Sequence, residues 1–322
     1  MNLEQWMQTE SKDLQERFHS WVTFMEREVE FWLKDSEIHT KQHCSRVLYY
    51  ALKIAEARGL SEEAKECLAK ASVFHDSRRQ DDWLDVGHGQ RAADYYKEYC
   101  EEQGVSFDQK VYGIMAYHDR NDELGIAYFE ENGLEDGKEL YAIFKDSDAL
   151  DRMRIAWNGL DVRYLRTEQA KGMVAFAKEI IEEALQFKKA EHEDAFMIAF
   201  ELQNALFSQE DETLKDMIAQ KLQQFNGRMI FTIDHGIGKP GTYEWELFKE
   251  AKEIQAHTNA AYYVKQDPKG SKMIADLKQI NEERPIREIH LIGLMGQNSV
   301  ETYEKELMLE FPKAKIVKIQ MV

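Results

Sequence analysis

The sequence predicts an all-helical domain followed by a small α/β domain whose mostly parallel sheet has four strands. Three observations carry this reading. All four prolines (Pro240, Pro268, Pro285, Pro312) fall in the last third of the 322 residues. Before about Asn226, apolar residues recur at helical spacing, the mark of helices with one buried face. After Gly227, short β-branched runs alternate with helix-patterned segments, the mark of βαβ units. A chain of this length holds about two domains. We expect residues 1–190 to form the helical domain, 191–226 to be connecting helices, and 227–322 to form the α/β domain.

The helical elements follow in order. His43, Val47, Tyr50 and Ile54 form one stripe; Ala64, Leu68, Ala71 and His75 a second; Val111, Ile114, Met115 and His118 a third. His88 opens the segment carrying Ala92, Tyr95 and Tyr99, and Asp148 lies one helical turn after Phe144. Gly59, the stretch 87–89, Gly104 and a break over 131–137 mark loops. Further helices are expected over 168–190 and 192–225. The four strands are expected at 228–234, 260–265, 288–294 and 315–321, separated by helices over 243–257, 270–282 and 299–311.

Charge narrows the function. Lys and Arg total 42 against 60 Asp and Glu, a formal charge of −18, which argues against broad binding to nucleic acid or anionic membrane. A mean hydropathy of −0.61 marks a soluble chain. Cys44, Cys67 and Cys100 are an odd set without paired spacing, so no disulfide framework is expected. The start MNLEQWMQTESKDLQ has neither a basic nor an apolar signal region, and no run approaches a membrane span. The expected location is the cytoplasm.

The informative pattern is where histidines meet the helical stripes. His43, His75, Asp76, His88, His118 and Asp148 all stand at helix ends or starts and point toward one helical core. Burying that many polar groups without partners would cost several kcal/mol. A metal centre removes the difficulty, because it takes up imidazole lone pairs and cancels carboxylate charge. Mixed nitrogen and oxygen donors suit Fe, Mn, Zn, Ni or Co. Six groups exceed one tetrahedral site, so one or two divalent transition-metal ions are expected, Asp76 bridging if there are two. His39, one turn before His43, is a rival first ligand. Asp119 could orient a ligand or carry a proton.

The ordered segments His43-Cys44-Ser45-Arg46-Val47, Ser72-Val73-Phe74-His75-Asp76, Ile114-Met115-Ala116-Tyr117-His118 and Ser147-Asp148-Ala149-Leu150-Asp151-Arg152-Met153-Arg154 resemble the HD-domain superfamily of metal-dependent phosphohydrolases. The resemblance covers about residues 35–155. With His88 and His118 added it looks like the six-ligand, two-metal branch, which includes dinucleoside-polyphosphate hydrolases and a few di-iron oxygenases. It implies that His43, His75, Asp76 and Asp148 hold a first ion, and His88 and His118 with Asp76 a second.

The expected activity is hydrolysis of a phosphomonoester or phosphoanhydride in a small, nucleotide-like phosphorylated metabolite by a metal-bound hydroxide. The alternative is an HD-type di-iron oxygenase acting on a small phosphorylated or phosphonate substrate. Cations crowd the ligand segments in an otherwise acidic chain, which suits an anionic substrate. Lys145 and Arg154, with Asp76, are assigned to catalysis; Arg46, Arg78, Arg79 and Arg91 to substrate binding. Arg163 and Arg166 either close over a substrate or cap the following helix.

In the C-terminal part, Gly236, Gly238 and Gly241 fit G-x-G-x-x-G after a strand. Pro240 delays the following helix, however, and no carboxylate ends the next strand at the usual distance. A plain strand-to-helix loop is the preferred reading. The domain suits a substrate lid, a homodimer interface or a regulatory ligand site.

Overall fold

A computed structural model describes residues 3–34, 36, 38–82, 85–240, 242–294 and 298–319. The chain divides into two units. The first comprises Met1–Arg154 and Leu160–Gln186; the second comprises Ile155–Gly159 and Phe187–Val322.

The first unit is helical. Its elements are α1 (Leu3–Met7), α2 (Lys12–Glu28), α3 (Lys41–Ala57), α4 (Glu62–Phe74), α5 (His88–Gln103), α6 (Gln109–Tyr117), α7 (Asp122–Glu131), α8 (Glu135–Leu150), α9 (Glu168–Gly172) and α10 (Val174–Leu185). Helix α3 packs against α2, α4 and α8 and is buried along most of its length. That burial fits its run of Val47, Leu48, Tyr49, Tyr50, Ala51 and Leu52. Side-chain caps set the helix starts. Thr40 accepts a hydrogen bond from the His43 N–H, Ser61 from Ala64 and Asp108 from Lys110, each satisfying a donor the helix leaves unpaired. A 3₁₀ turn, Asp151–Arg154, follows α8.

The second unit is a sheet of five strands, not the expected four. They are β1 (His192–Phe200), β2 (Gly227–Ile233), β3 (Ala261–Val264), β4 (Glu288–Ile292) and β5 (Lys315–Ile319). All pair in parallel, in the order β3-β2-β1-β4-β5. The additional strand is the central one and lies where the periodicity predicted helix over 192–225; α-helix remains there as α11 (Glu212–Gln224), with 3₁₀ turns at Asn204–Leu206 and Gln209–Asp211. Both faces of β1 are covered. Phe196, Ile198 and Phe200 enter one apolar layer, Met197 and Ala199 the other. A strand buried on both faces carries a continuous apolar run rather than an alternating one.

The remaining helices are α12 (Lys249–Thr258), α13 (Lys272–Glu283) and α14 (Asn298–Glu310). Helix α12 starts later than the predicted 243 because the chain before it serves another segment. Gln203 Nε2 donates to the Trp245 carbonyl, the Asn204 N–H to the Glu246 carbonyl, and Gln203 forms an antiparallel bridge with Leu247. Of the three glycines in the predicted glycine motif, Gly241 lies outside the described residues. Among the described residues, no helix is long and apolar enough to cross a membrane.

Candidate metal centre

Helix ends carry the candidate cluster. His43 sits in the first turn of α3, His75 caps the C-terminus of α4 with Asp76 next, and His88 opens α5. His118 caps α6, and Asp148 lies in the last turn of α8. Gly89 allows α5 and α6 to meet: a Cβ there would lie 2.7 Å from His118 Nδ1 and closer still to the Met115 carbonyl oxygen.

The imidazoles share one orientation. Nδ1 of His75, His88 and His118 contacts the carbonyl of Ser72 (2.9 Å), Asp85 (2.9 Å) and Met115 (2.7 Å) respectively. Nδ1 of His43 contacts Asp151 Oδ2 at 2.7 Å. A carbonyl or carboxylate oxygen only accepts, so each Nδ1 carries the hydrogen and, in the neutral ring, each Nε2 presents a lone pair. Those lone pairs face one another. Nε2 of His43 and His75 are 3.2 Å apart, and Nε2 of His88 and His118 2.9 Å apart. Acceptor facing acceptor at such distances is repulsive unless a cation stands between.

Carboxylates complete the cluster. His43 Nε2 lies 3.3 Å from Asp148 Oδ1 and 3.5 Å from Asp76 Oδ2. His88 Nε2 lies 3.1 Å from the other Asp76 oxygen, Oδ1. His39 joins through Nδ1, 2.7 Å from Asp76 Oδ2. Three overlapping sets have donor atoms within 4.8 Å of one another: His39, His43 and Asp76; His43, His75 and Asp148; His75, Asp76 and His118. These buried groups could hold a metal ion. Asp148 is the most exposed member, its side chain 27% accessible, so solvent reaches the cluster on its side.

Protonation suits the same role. Burial drives His75 down to about 3 and also lowers His118 and His39. For His88 burial pulls downward, but the hydrogen bond and charge of Asp76 outweigh it and raise the pKa. Burial would raise Asp76, yet His75 and His39 hold it well below the usual carboxylate range; His43 does the same for Asp148. His75, His118 and His39, kept neutral beside ionised carboxylates, are in the donor state a divalent cation requires.

The expected cations occupy varied places. Arg79 Nη1 lies 3.7 Å from Asp76 Oδ1 and 3.2 Å from both ring nitrogens of His88. Arg154 donates to the Ile38 carbonyl and reaches His39 Nδ1 at 3.3 Å. Arg46 forms a two-point ion pair with Asp151 at 2.6 and 2.9 Å. Arg91 donates from Nη2 alone to both oxygens of Asp85, at 2.6 and 2.7 Å, and Arg78 stacks 3.2 Å from the Tyr95 ring centroid. Lys145 pairs with Asp122 at 2.7 Å and donates to the Arg120 carbonyl. Arg166 bridges Asp122 and Asp146, while Arg163 pairs with the neighbouring Asp161. Asp146 also accepts from both the backbone N–H and the hydroxyl of Thr167.

Two further acids stand beside the cluster. Asp151 fixes the His43 ring and neutralises Arg46; its one sequence signal is its place three residues after Asp148. Asp119 accepts from the Gly87 N–H, lies 3.6 Å from His88 Nδ1, and has its buried Oδ1 3.5 Å from Arg120 Nε. No protein-family profile matches the chain, and neither does any curated protein sequence.

Proposed function

We propose that the helical unit is a metal-dependent phosphohydrolase that cleaves a phosphomonoester or phosphoanhydride of a small, nucleotide-like metabolite. The observation that carries the metal requirement is the confrontation of imidazole lone pairs whose tautomers are fixed from behind. Two cations suit the donors better than one, because the oxygens of Asp76 face different imidazoles: Oδ1 faces His88, and Oδ2 faces His39, His43 and His75. In this reading His43, His75, Asp76 and Asp148 hold one ion, and His88, His118 and Asp76 the other.

When bound, such ions supply Lewis acidity toward a phosphate oxygen and make a water acidic enough to ionise near neutral pH. The protein supplies the rest. Arg79 and Arg154 place fixed positive charge against the donor cluster, which favours an anionic substrate over a neutral one. Asp119, 3.6 Å from His88 Nδ1 and with Arg120 Nε 3.5 Å from its other oxygen, is positioned to hold a proton beside His88. The resemblance to HD-domain phosphohydrolases over residues 35–155 supports the same class of reaction.

The test is release of phosphate or nucleotide from a substrate panel by purified protein with Mn, Co, Ni or Fe. His75→Ala and Asp76→Ala should each abolish the activity while circular dichroism shows folding retained. A robust activity indifferent to both substitutions disproves the assignment. A second reading, oxidation of a phosphorylated or phosphonate substrate by a di-iron pair and O₂, is favoured by the nitrogen-rich donor set. Iron retained through anaerobic purification, with a mixed-valent spin-resonance signal, would select it.

A further inference from the structure

The α/β unit carries a second cluster of chemically capable side chains. In the order β3-β2-β1-β4-β5 the chain runs outward from β1 through β2 and β3, then returns to continue through β4 and β5. The direction of winding therefore reverses between β1 and β4. In open parallel sheets the carboxyl ends of the strands at such a reversal form the ligand-binding edge.

The first four strands each send one polar residue to that edge. Glu201 follows β1, Asp234 follows β2, Lys265 follows β3, and Ser299 stands in the first turn of the helix after β4. They connect. The Ser299 hydroxyl donates to Glu201 Oε1 at 2.6 Å, and Lys265 Nζ lies 3.0 Å from the same oxygen and 3.1 Å from Asp234 Oδ2. Glu201 is 3% exposed and Ser299 5%. Glu201 also holds a left-handed backbone with φ of 50°, a strain that collects at functional positions. Gly293 lets the segment after β4 close on β1, since a Cβ there would lie 2.9 Å from Val300 Cγ2 and 3.2 Å from Phe200 Cβ.

We propose that this edge is a second reaction centre, in which Ser299 is a nucleophile toward small acyl compounds, Glu201 its base and Lys265 the cation that orients Glu201. A hydroxyl within hydrogen-bond reach of a base that a third group orients is the signature of an activated nucleophile. Two carboxylates against one ammonium leave the edge net negative, which disfavours a phosphate and suits a neutral ester or amide. Ser299 Oγ bonds to the carbonyl carbon as its proton passes to Glu201. The C–X bond then breaks and the leaving group departs with that proton. Water, deprotonated by Glu201, cleaves the acyl-serine, so that acyl compound and water become carboxylic acid and HX.

The test uses the full chain and a fluorophosphonate, which phosphonylates an activated serine: the Oγ–P bond forms, fluoride leaves, and the serine proton passes to the base. Intact-mass measurement should show one adduct, and peptide mapping of the wild-type protein should place it on Ser299. Ser299→Ala should lose it. Glu201→Gln, which preserves size, should slow labelling by about 100-fold. Labelling should persist with a metal chelator present, separating this reactivity from the helical unit's centre. No adduct, an adduct mapped elsewhere, or labelling that survives Ser299→Ala or disappears with chelator overturns the proposal.

Discussion

His43 and Asp151 share a 2.7 Å hydrogen bond between side chains 108 residues apart in sequence and wholly buried. The same carboxylate takes both prongs of the Arg46 guanidinium. One acid thus fixes the tautomer of a candidate ligand and cancels a buried positive charge. Carboxylates behind metal-binding histidines act this way, holding the ring in place and raising its basicity.

Asp151→Asn preserves shape but removes that charge. We expect metal affinity to fall by about 10- to 100-fold, measured by calorimetric titration with Mn²⁺. Asp151→Ala further leaves Arg46 buried and unpaired, and should cost about 3–5 kcal/mol of stability in urea denaturation. Unchanged metal affinity in Asp151→Asn would remove Asp151 from the site.

Acid should destabilise the chelator-treated protein early. The folded state keeps His75 neutral to about pH 3, whereas the unfolded chain protonates it near 6.5; the unfolded state therefore gains protons across that window and is favoured as pH falls. His39 and His118 act in the same sense, and His88, whose pKa is raised, opposes them. Asp76 and Asp148, held below 3.8, extend the loss to lower pH. Tm should drop steadily from pH 7 to pH 4, less steeply in His75→Gln. A flat profile would contradict burial of neutral imidazoles.

Gly89→Ala tests the close approach of α5 and α6. The added methyl must push His118 off the Met115 carbonyl, at a cost of about 1–3 kcal/mol. It should also weaken metal binding more than Gly172→Ala does, since nothing lies within 4 Å of a Cβ at Gly172. Isothermal titration of both variants checks it. Equal metal affinity in the two would show that His118 does not depend on this contact.

The helical stripes made the candidate site legible, because 3.6-residue periodicity marks which end of each helix turns inward, and His43, His75 and His118 continue those stripes. Asp151 was not legible in that manner: it sits in a 3₁₀ turn, where the periodicity has lapsed. Strand β1 failed for a different reason. Its buried run Ala195–Phe200 has no alternation, and without it a strand enclosed on both faces reads like a buried helix. Losing β1 also hid Glu201, whose meaning depends on the strand it follows. Ser299, a lone hydroxyl in a helical pattern, has no signal until the sheet order is known.

Trp157 shows what the interleaved chain path implies for dissecting the protein. Its N–H bonds the Asn259 carbonyl at 3.0 Å and its ring stacks 4.3 Å from the Arg228 guanidinium, yet Leu160–Gln186, just downstream, belongs with the helices. No single cut yields two intact halves. A fragment ending at Arg154 forfeits α9 and α10, and one ending at Gln186 carries the tryptophan away from the sheet that shelters it. Fragment expression should give insoluble or proteolysed pieces where whole-length protein gives none.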